Sequence, residues 1–194
     1  MNPDRRDLLR DAAIAVLAEA GGRGLTHRAV DAAAGVPLGT AKNYFPTRDA
    51  LLRAVAGRCL EQYRERAAAM AGPGPADRAG LAALLSGLLR DVAGPGRPRV
   101  LAYLELQTEA TRRPWLAELL DVIGAGDFAA HRALLAASGL PSDAATVRAL
   151  TLALHGALPH LLAGTPAALA AAGLDDLNTF TRDLLNTICP PAAS

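Results

Sequence analysis

Hydrophobic residues recur every three or four positions along most of this chain, the spacing that puts them on one face of an α-helix. The first such run covers about residues 4–20 and ends at Gly21-Gly22. Its apolar face consists of Leu9, Ala13, Val16, Leu17 and Ala20. No window alternates apolar and polar residues as a half-buried strand does. The pattern therefore predicts an all-α protein.

Glycine, proline and helix-capping residues divide the chain into about nine predicted helices. After the first, they span approximately residues 26–34, 37–44, 47–71, 76–92, 98–112, 114–137, 143–163 and 174–188. Gly72–Pro75 is the clearest break, and 164–173 is predicted to be a separator. Asp143 and Asp175 suit helix starts, because a carboxylate caps the first turn. A bend or an interruption is expected at Gly124–Gly126.

One long stretch, between Arg148 and Asp175, carries no charged residue. It is long enough for a membrane helix, which needs about 20 apolar residues. However, His155, Pro159 and several glycines interrupt it, so a helix buried on several sides is favoured. The N-terminus also lacks the apolar core of a signal peptide. We therefore expect a cytoplasmic protein with no membrane partner.

Composition narrows the functional classes. The 194 residues are 51% hydrophobic and 20% charged, too apolar for a disordered chain. Cys59 and Cys189 have no second Cys or His at ligand spacing, so neither a disulfide nor a metal site is expected. None of the four serines lies in a Gly-x-Ser-x-Gly motif, and no His-Glu-x-x-His or phosphate loop occurs. No catalytic residue and no cofactor are predicted.

Residues 25–45 give the most specific pattern, two short helices joined by a glycine-containing turn. This is the arrangement of a helix-turn-helix, whose second helix fits the DNA major groove. The residues spaced to hold it on the first helix are Leu25, Val30, Ala33, Val36 and Phe45. Those left exposed are Pro37, Leu38, Thr40, Lys42, Asn43 and Tyr44, types that contact bases or phosphates. Residues 1–66 hold 11 basic and 8 acidic side chains, a slightly basic balance that fits DNA.

The chain here resembles the tetracycline-repressor (TetR) family of transcriptional regulators. The residues that carry the resemblance are Leu9, Ala12-Ala13, Val16-Leu17, Glu19, Gly21, Leu25-Thr26, Ala34-Gly35-Val36, Gly39-Thr40, Phe45-Pro46, Arg48 and Ala50-Leu51-Leu52. Two positions depart from the family pattern: Lys42 stands where Tyr is usual, and Tyr44 stands where His or a similar residue is usual.

The resemblance implies an N-terminal three-helix DNA-binding domain, residues 1–53, and a helical effector-binding and dimerisation domain, residues 54–194. It implies that Thr26, His27 and Arg28 lie at the DNA backbone and that Thr47 and Arg48 bind a phosphate, which a helix N-terminus favours. By the same resemblance, the residues that face the groove are Leu38, Thr40, Lys42, Asn43 and Tyr44.

The large half is expected to enclose an unknown small-molecule effector and to bind a second copy of the chain. Homodimerisation is expected through the 143–163 and 174–188 helices, whose apolar surface exceeds what one small domain needs. Polar or aromatic residues among apolar ones are the pocket candidates: Tyr103, Gln107, Thr111, Trp115, Phe128, His131 and His155.

These observations predict a ligand-responsive regulator, a repressor released from a near-palindromic double-stranded DNA operator by a small molecule. The alternative is a helical protein-interaction module in which the helix-turn-helix is only structural and binds no DNA.

Overall fold

Ten α-helices and no strand make up the part of the chain that the computed structural model describes, residues 3–69 and 74–190. The helices are α1 (Pro3–Gly24), α2 (His27–Ala33), α3 (Thr40–Tyr44), α4 (Arg48–Ala69), α5 (Arg78–Ala93), α6 (Arg97–Ala110), α7 (Pro114–Ala137), α8 (Ala144–Ala163), α9 (Pro166–Ala171) and α10 (Leu177–Ile188). The predicted all-α fold is confirmed. The expected end of the fourth helix at Ala71 lies outside the described residues.

The additional helix is α9, so the prediction that 164–173 is only a separator is wrong. Thr165 caps α9, accepting a hydrogen bond from the amide of Ala168 at 3.2 Å, and Pro166 occupies the first turn. Proline suits that position because its missing N–H has no helical partner there. Six residues are too few for an apolar period to emerge, so hydrophobic periodicity could not predict this helix. The only sequence cue is the capping residue Thr165 followed by Pro166.

Three other expectations need correction. α3 begins at Thr40 rather than near Pro37, because Gly39 adopts a left-handed φ of 90° that a helix cannot include. Asp176, not Asp175, caps α10, whereas Asp143 caps α8 as predicted. α7 continues as a helix through Gly124–Gly126, so no interruption occurs there.

The helices form two compact units, Met1–Ala68 with Pro98–Ile123, and Ala69–Arg97 with Gly124–Ser194. The first unit therefore combines α1–α4 with α6 and the start of α7. The second combines α5, the end of α7 and α8–α10. The functional division at residue 53 is a different partition and stays a prediction.

The core of the first unit is built on the apolar face of α1. Leu9, Leu17 and the helix-turn-helix residues Leu25, Val30 and Phe45 are almost completely buried. Val36 and Ala34 pack against the same core. Ala33, which was expected to pack on α1, is exposed instead. Ala34, four positions after Val30, lies on the buried face of α2 in its place.

Charged groups also join α1 to α4 in the first unit. Arg10 binds Glu61 at 2.6 Å, and Arg58 binds Asp11 at 2.8 Å. The hydrogen bond to Asp11 is the main reason that the pKa of Arg58 is raised. Both bonds join residues more than 40 positions apart in sequence, so they fix the first half of α1 to the middle of α4.

In the second unit, α5 packs against α8 and α10. Leu81, Leu85, Leu150 and Leu185 form its buried centre. Leu174, expected on an interface, is buried in this core as well. The remaining apolar residues of the α10 segment are half-buried against the same core: Leu177, Phe180, Leu184 and Ile188.

Candidate nucleic-acid interface and effector residues

The turn between α2 and α3 depends on two glycines. Gly35 and Gly39 have φ values of 64° and 90°, in the left-handed region that side chains with a Cβ rarely adopt. Thr26 caps α2, accepting from the amide of Ala29 at 3.2 Å. After Gly35, the amide of Val36 returns to the carbonyl of Asp31 at 3.0 Å. The sequence between Thr26 and Gly39 thus specifies a compact helix-turn-helix.

Side chains of α2 bind both ends of α3. The buried carboxylate of Asp31 accepts hydrogen bonds from the amides of Gly39, at 2.7 Å, and Ala41, at 2.6 Å. The ring Nε2 of His27 lies 2.6 Å from the carbonyl oxygen of Phe45. His27 was predicted to contact DNA, and Asp31 was not predicted at all. Its sequence cue was a lone acidic residue between apolar positions, four residues after His27.

The predicted base-reading residues of α3 lie on or near its surface. Leu38 is 72% exposed, which excludes a core role, and Lys42 and Asn43 are also exposed. Thr40 donates its hydroxyl hydrogen to the carbonyl of Pro37 at 2.6 Å. Tyr44 is half-buried, with its ring centroid 6.3 Å from that of Phe45. The helix therefore presents a mixed polar and apolar surface suited to base edges and thymine methyls.

The residues predicted to bind phosphate differ in their surroundings. Arg28 is exposed. Thr47 caps α4, accepting from the amide of Ala50 at 3.0 Å. Arg48 is engaged within the protein: its guanidinium donates to the carbonyl oxygens of Leu25 and Gly22. Arg48 thus fixes the junction of α1 and α2 against the start of α4.

Two carboxylates of α6 reach the same junction. Glu105 accepts a hydrogen bond from the amide of Gly22 at 2.9 Å. Glu109 lies 3.7 Å from Arg48 and also pairs with Arg113. A Cβ on Gly22 would lie 2.6 Å from Glu109 Oε1, closer than real side chains approach. A side chain at residue 22 would therefore require the Glu109 carboxylate to shift.

The pocket candidates in the first unit make hydrogen bonds or ring contacts with each other and with neighbouring residues. Gln107 donates to the Tyr103 hydroxyl at 3.0 Å, and Thr111 donates to the carbonyl of Thr108 at 2.7 Å. Arg53 stacks on Trp115, with 3.9 Å between the guanidinium carbon and the ring centroid. Tyr103 and Gln107 therefore form a hydrogen-bonded pair one helical turn apart on α6.

The candidates in the second unit lie on α7 and α8. His131 Nδ1 is 2.8 Å from the buried Thr151 hydroxyl, and His155 Nε2 is 3.0 Å from Asp127. Burial lowers the pKa of His131, with Asp127 opposing and His155 assisting that shift. Phe128 is half-buried against the core. Asp127 is a polar neighbour that the sequence did not single out.

Within residues 3–69 and 74–190, no group of three or more His, Cys, Asp or Glu side chains has the arrangement of a metal site. Over the same ranges, no helix has both the length and the hydropathy needed to span a membrane.

Comparison with known proteins identifies the chain's relatives. A family model described as the tetracyclin repressor-like C-terminal domain matches residues 76–185, more than half of the chain. No curated protein matches the sequence. Among solved structures, the multidrug-binding protein EbrR complexed with imidazole is 32% identical, with a TM-score of 0.66, covering 100% of this chain and 94% of EbrR.

Two further structures agree. EbrR complexed with ethidium is 34% identical, with a TM-score of 0.67, covering 97% of this chain and 99% of EbrR. A TetR-family member from Streptomyces coelicolor A3 is 31% identical, with a TM-score of 0.69, covering 97% of this chain and 100% of its own. Proteins of this family are typically non-enzymatic regulators that bind DNA and small molecules as dimers. This chain belongs to the TetR family of transcriptional regulators.

Proposed function

We propose that this protein is a cytoplasmic repressor that binds a near-palindromic DNA operator and leaves it when a small molecule binds. The observation that carries the DNA-binding part is the surface of α3. Lys42 and Asn43 are exposed there, Leu38 is exposed in the turn just before it, and α3 is held at both ends. In a dimer, two such helices would enter successive major grooves about 34–36 Å apart, or a multiple of that spacing.

Selection from a random duplex library with the full chain would supply the operator probe. Lys42→Ala is then expected to weaken binding, measured by fluorescence anisotropy over a salt series. A uniform loss with the salt slope reduced by about one identifies a phosphate contact. Relaxed preference at one base pair identifies a base contact. Arg97→Ala, an exposed cation at the start of α6 and outside both the helix-turn-helix and the proposed dimer interface, is the control and should leave binding unchanged.

Wild-type protein that enriches no duplex would contradict the proposed function and favour the interaction-module alternative.

We propose that the dimer forms through α8 together with α10. The exposed face of α8 supports this, because Leu152 is 60% exposed on a helix that carries no charge after Arg148. The exposed apolar or small residues around it are spaced by four and three: Ala145, Ala149, Leu152, Gly156, Pro159 and Ala163. Alternating four and three is the spacing of a helix–helix seam.

Leu152→Arg should convert the dimer to a monomer, measured by light scattering after size-exclusion chromatography, because a charge would be buried at the seam. The matched control is Leu38→Arg, which alters another exposed leucine, 72% accessible, in the helix-turn-helix. It should remain dimeric. A dimeric Leu152→Arg variant would show that α8 is not the interface.

We propose that α6 transmits effector binding to the DNA-binding region. The support is that Glu105 and Glu109 contact Gly22 and Arg48, which hold the start of α2 and α4. The pocket candidates Tyr103 and Gln107 lie on the same helix. A ligand that displaces α6 would therefore disturb the helix-turn-helix, a reciprocal coupling of typically about 1–3 kcal/mol.

Glu105→Ala should reduce that coupling while leaving effector affinity unchanged. The measurement is operator affinity with and without saturating effector, whose ratio should move toward one. Glu118→Ala, an exposed carboxylate on α7, serves as the control. An unchanged ratio in Glu105→Ala would remove α6 from the coupling.

We propose flat aromatic cations as the effector class. The support is the ethidium complex of EbrR and the carboxylate of Asp127, which is 26% exposed and lies 3.0 Å from the pocket candidate His155. A partly exposed carboxylate attracts a cation. Ethidium should bind to the wild-type protein, as measured by the change in ethidium fluorescence. Asp127→Asn should lower the affinity for ethidium about tenfold. Asp121→Asn is the control, and equal binding by both variants would contradict the role of Asp127.

A further inference from the structure

The recognition helix α3 cannot hold its own position. Five residues are too few for an isolated helix, because nucleation is costly and only one turn forms. Its N-cap is Gly39, which has no side chain to accept a hydrogen bond from the first turn. The position of α3 must therefore be fixed by groups from elsewhere in the chain.

Asp31 supplies the missing cap. It is 1% exposed, and its two carboxylate oxygens separately accept the amides of Gly39 and Ala41. Hydrogen bonds between a carboxylate and an amide are stronger than neutral ones. Because each oxygen serves a different amide, the pair fixes both the direction and the rotation of the first turn of α3.

His27 binds the opposite end. Its Nε2 lies 2.6 Å from the carbonyl oxygen of Phe45, the C-cap residue of α3. Since a carbonyl only accepts, Nε2 must carry a hydrogen. His27 and Asp31 are one helical turn apart on α2. They place an acceptor at the positive end of α3 and a donor at its negative end, which suits the helix dipole.

We propose that His27 and Asp31 are positioning residues for base readout, a brace that sets the orientation of α3 in the groove. This role rests on the proposed DNA-binding function. It gives His27 a bond within the protein in place of the phosphate contact implied by the family resemblance. Losing the brace would let α3 rotate, so base contacts would weaken while phosphate contacts persist.

The test compares two duplexes, the one selected by the wild-type chain and a scrambled duplex of equal length. Asp31→Asn keeps the shape but turns one acceptor into a donor that faces an amide N–H. Affinity for the selected duplex should fall about tenfold, and affinity for the scrambled one should stay within about twofold. Asp77→Asn makes the same change at the exposed N-cap of α5, where the remaining side-chain oxygen can still accept from Gly80, and it should change neither affinity.

His27 supplies a second variant pair that does not alter a buried side chain. His27→Ala should lower the ratio of specific to non-specific affinity, and His27→Gln should restore most of it, because the amide can donate to Phe45. Thermal melts by circular dichroism check that each variant is folded. A purely structural role would change the melting temperature without changing this ratio.

Two results would contradict the proposal that His27 and Asp31 position α3 for base readout. One is an unchanged affinity ratio in folded Asp31→Asn and His27→Ala. The other is equal weakening on both duplexes by His27→Ala with a salt slope reduced by about one, which would make His27 a phosphate ligand. Amide hydrogen exchange at Gly39 and Ala41 distinguishes failure of the positioning role from failure of the proposed DNA-binding function. Faster exchange in Asp31→Asn with no duplex selected by the wild type would overturn the DNA-binding function itself.

Discussion

Each of the two compact units of this protein is stabilised internally in a different way. In the first, charged side chains bind backbone groups far along the chain, as Glu105 does to Gly22 and Arg48 to Leu25. In the second unit, the buried centre is rich in leucine and most helix caps come from residues next to the helix they cap. The long-range polar bonds of the second unit mainly join α5 to α10. Hydrogen bonds are directional, whereas apolar burial is not. The directional bonds of the first unit fix the orientation of its short helices, whereas the second unit depends mainly on its apolar centre.

The largest expected effect tests the apolar side of this comparison. Leu185→Ala removes a fully buried side chain of α10 and should lower the free energy of unfolding by about 2–5 kcal/mol. The loss should hardly depend on salt, because no charge is involved. Urea unfolding at one fixed protein concentration measures it, since association adds to apparent stability.

Leu8→Ala is the matched control, because Leu8 is 46% exposed on α1. Its cost should stay below about 1 kcal/mol. A Leu185→Ala cost as small as this control would show that the second unit is not held mainly by its apolar core.

The difference between the units also explains what the sequence could predict. Local rules work within one helix turn, so Asp143 was identifiable as a cap, and it accepts from the first amides of its own helix. Burial of Leu25, Val30 and Phe45 followed from helical spacing. These predictions need only the next few residues along the chain.

Long-range polar contacts were not predictable in this way. The family resemblance implied that Arg48 binds a phosphate, yet its carbonyl partners are 23 and 26 residues earlier. Asp31 reaches Gly39 and Ala41 only once the turn at Gly35 has reversed the chain. Periodicity predicts which face is apolar, but it carries no information about which distant backbone group a charge meets.

A medium-sized effect tests the directional side of the comparison. Gly22→Ala would place a Cβ 2.6 Å from Glu109 Oε1 and force that carboxylate away from Arg48 and Arg113. Because the displaced atom is the end of a flexible side chain, we expect mainly the loss of those ion pairs, about 1 kcal/mol in the free energy of unfolding. In a Glu109→Ala background the obstruction is gone, and the cost should vanish or change sign, since Gly22 does not have a positive φ and replacing such a glycine by alanine stabilises by about 0.4–1 kcal/mol through the unfolded chain.

Gly87→Ala provides the control for that cycle. Gly87 is exposed within α5, and a Cβ there would meet nothing within 4 Å, so the substitution should be neutral or stabilising. Equal costs of Gly22→Ala with and without Glu109 would show no coupling between the two residues. The first unit would then not depend on the contact of α6 with α1.

The smallest expected effect comes from the buried polar pair His131 and Thr151 in the second unit. Burial holds the pKa of His131 below 6.5, and Asp127 and His155 are the ionisable groups that act on it. The unfolded chain therefore takes up a proton that the folded chain resists, so stability present above about pH 6.5 is lost as pH falls toward the lower folded value. Urea unfolding at pH 7.5 and 5.5 should show a smaller decrease for His131→Asn than for the wild type. The exposed His160→Asn should behave like the wild type, and equal decreases in all three proteins would mean that His131 contributes nothing to the pH dependence.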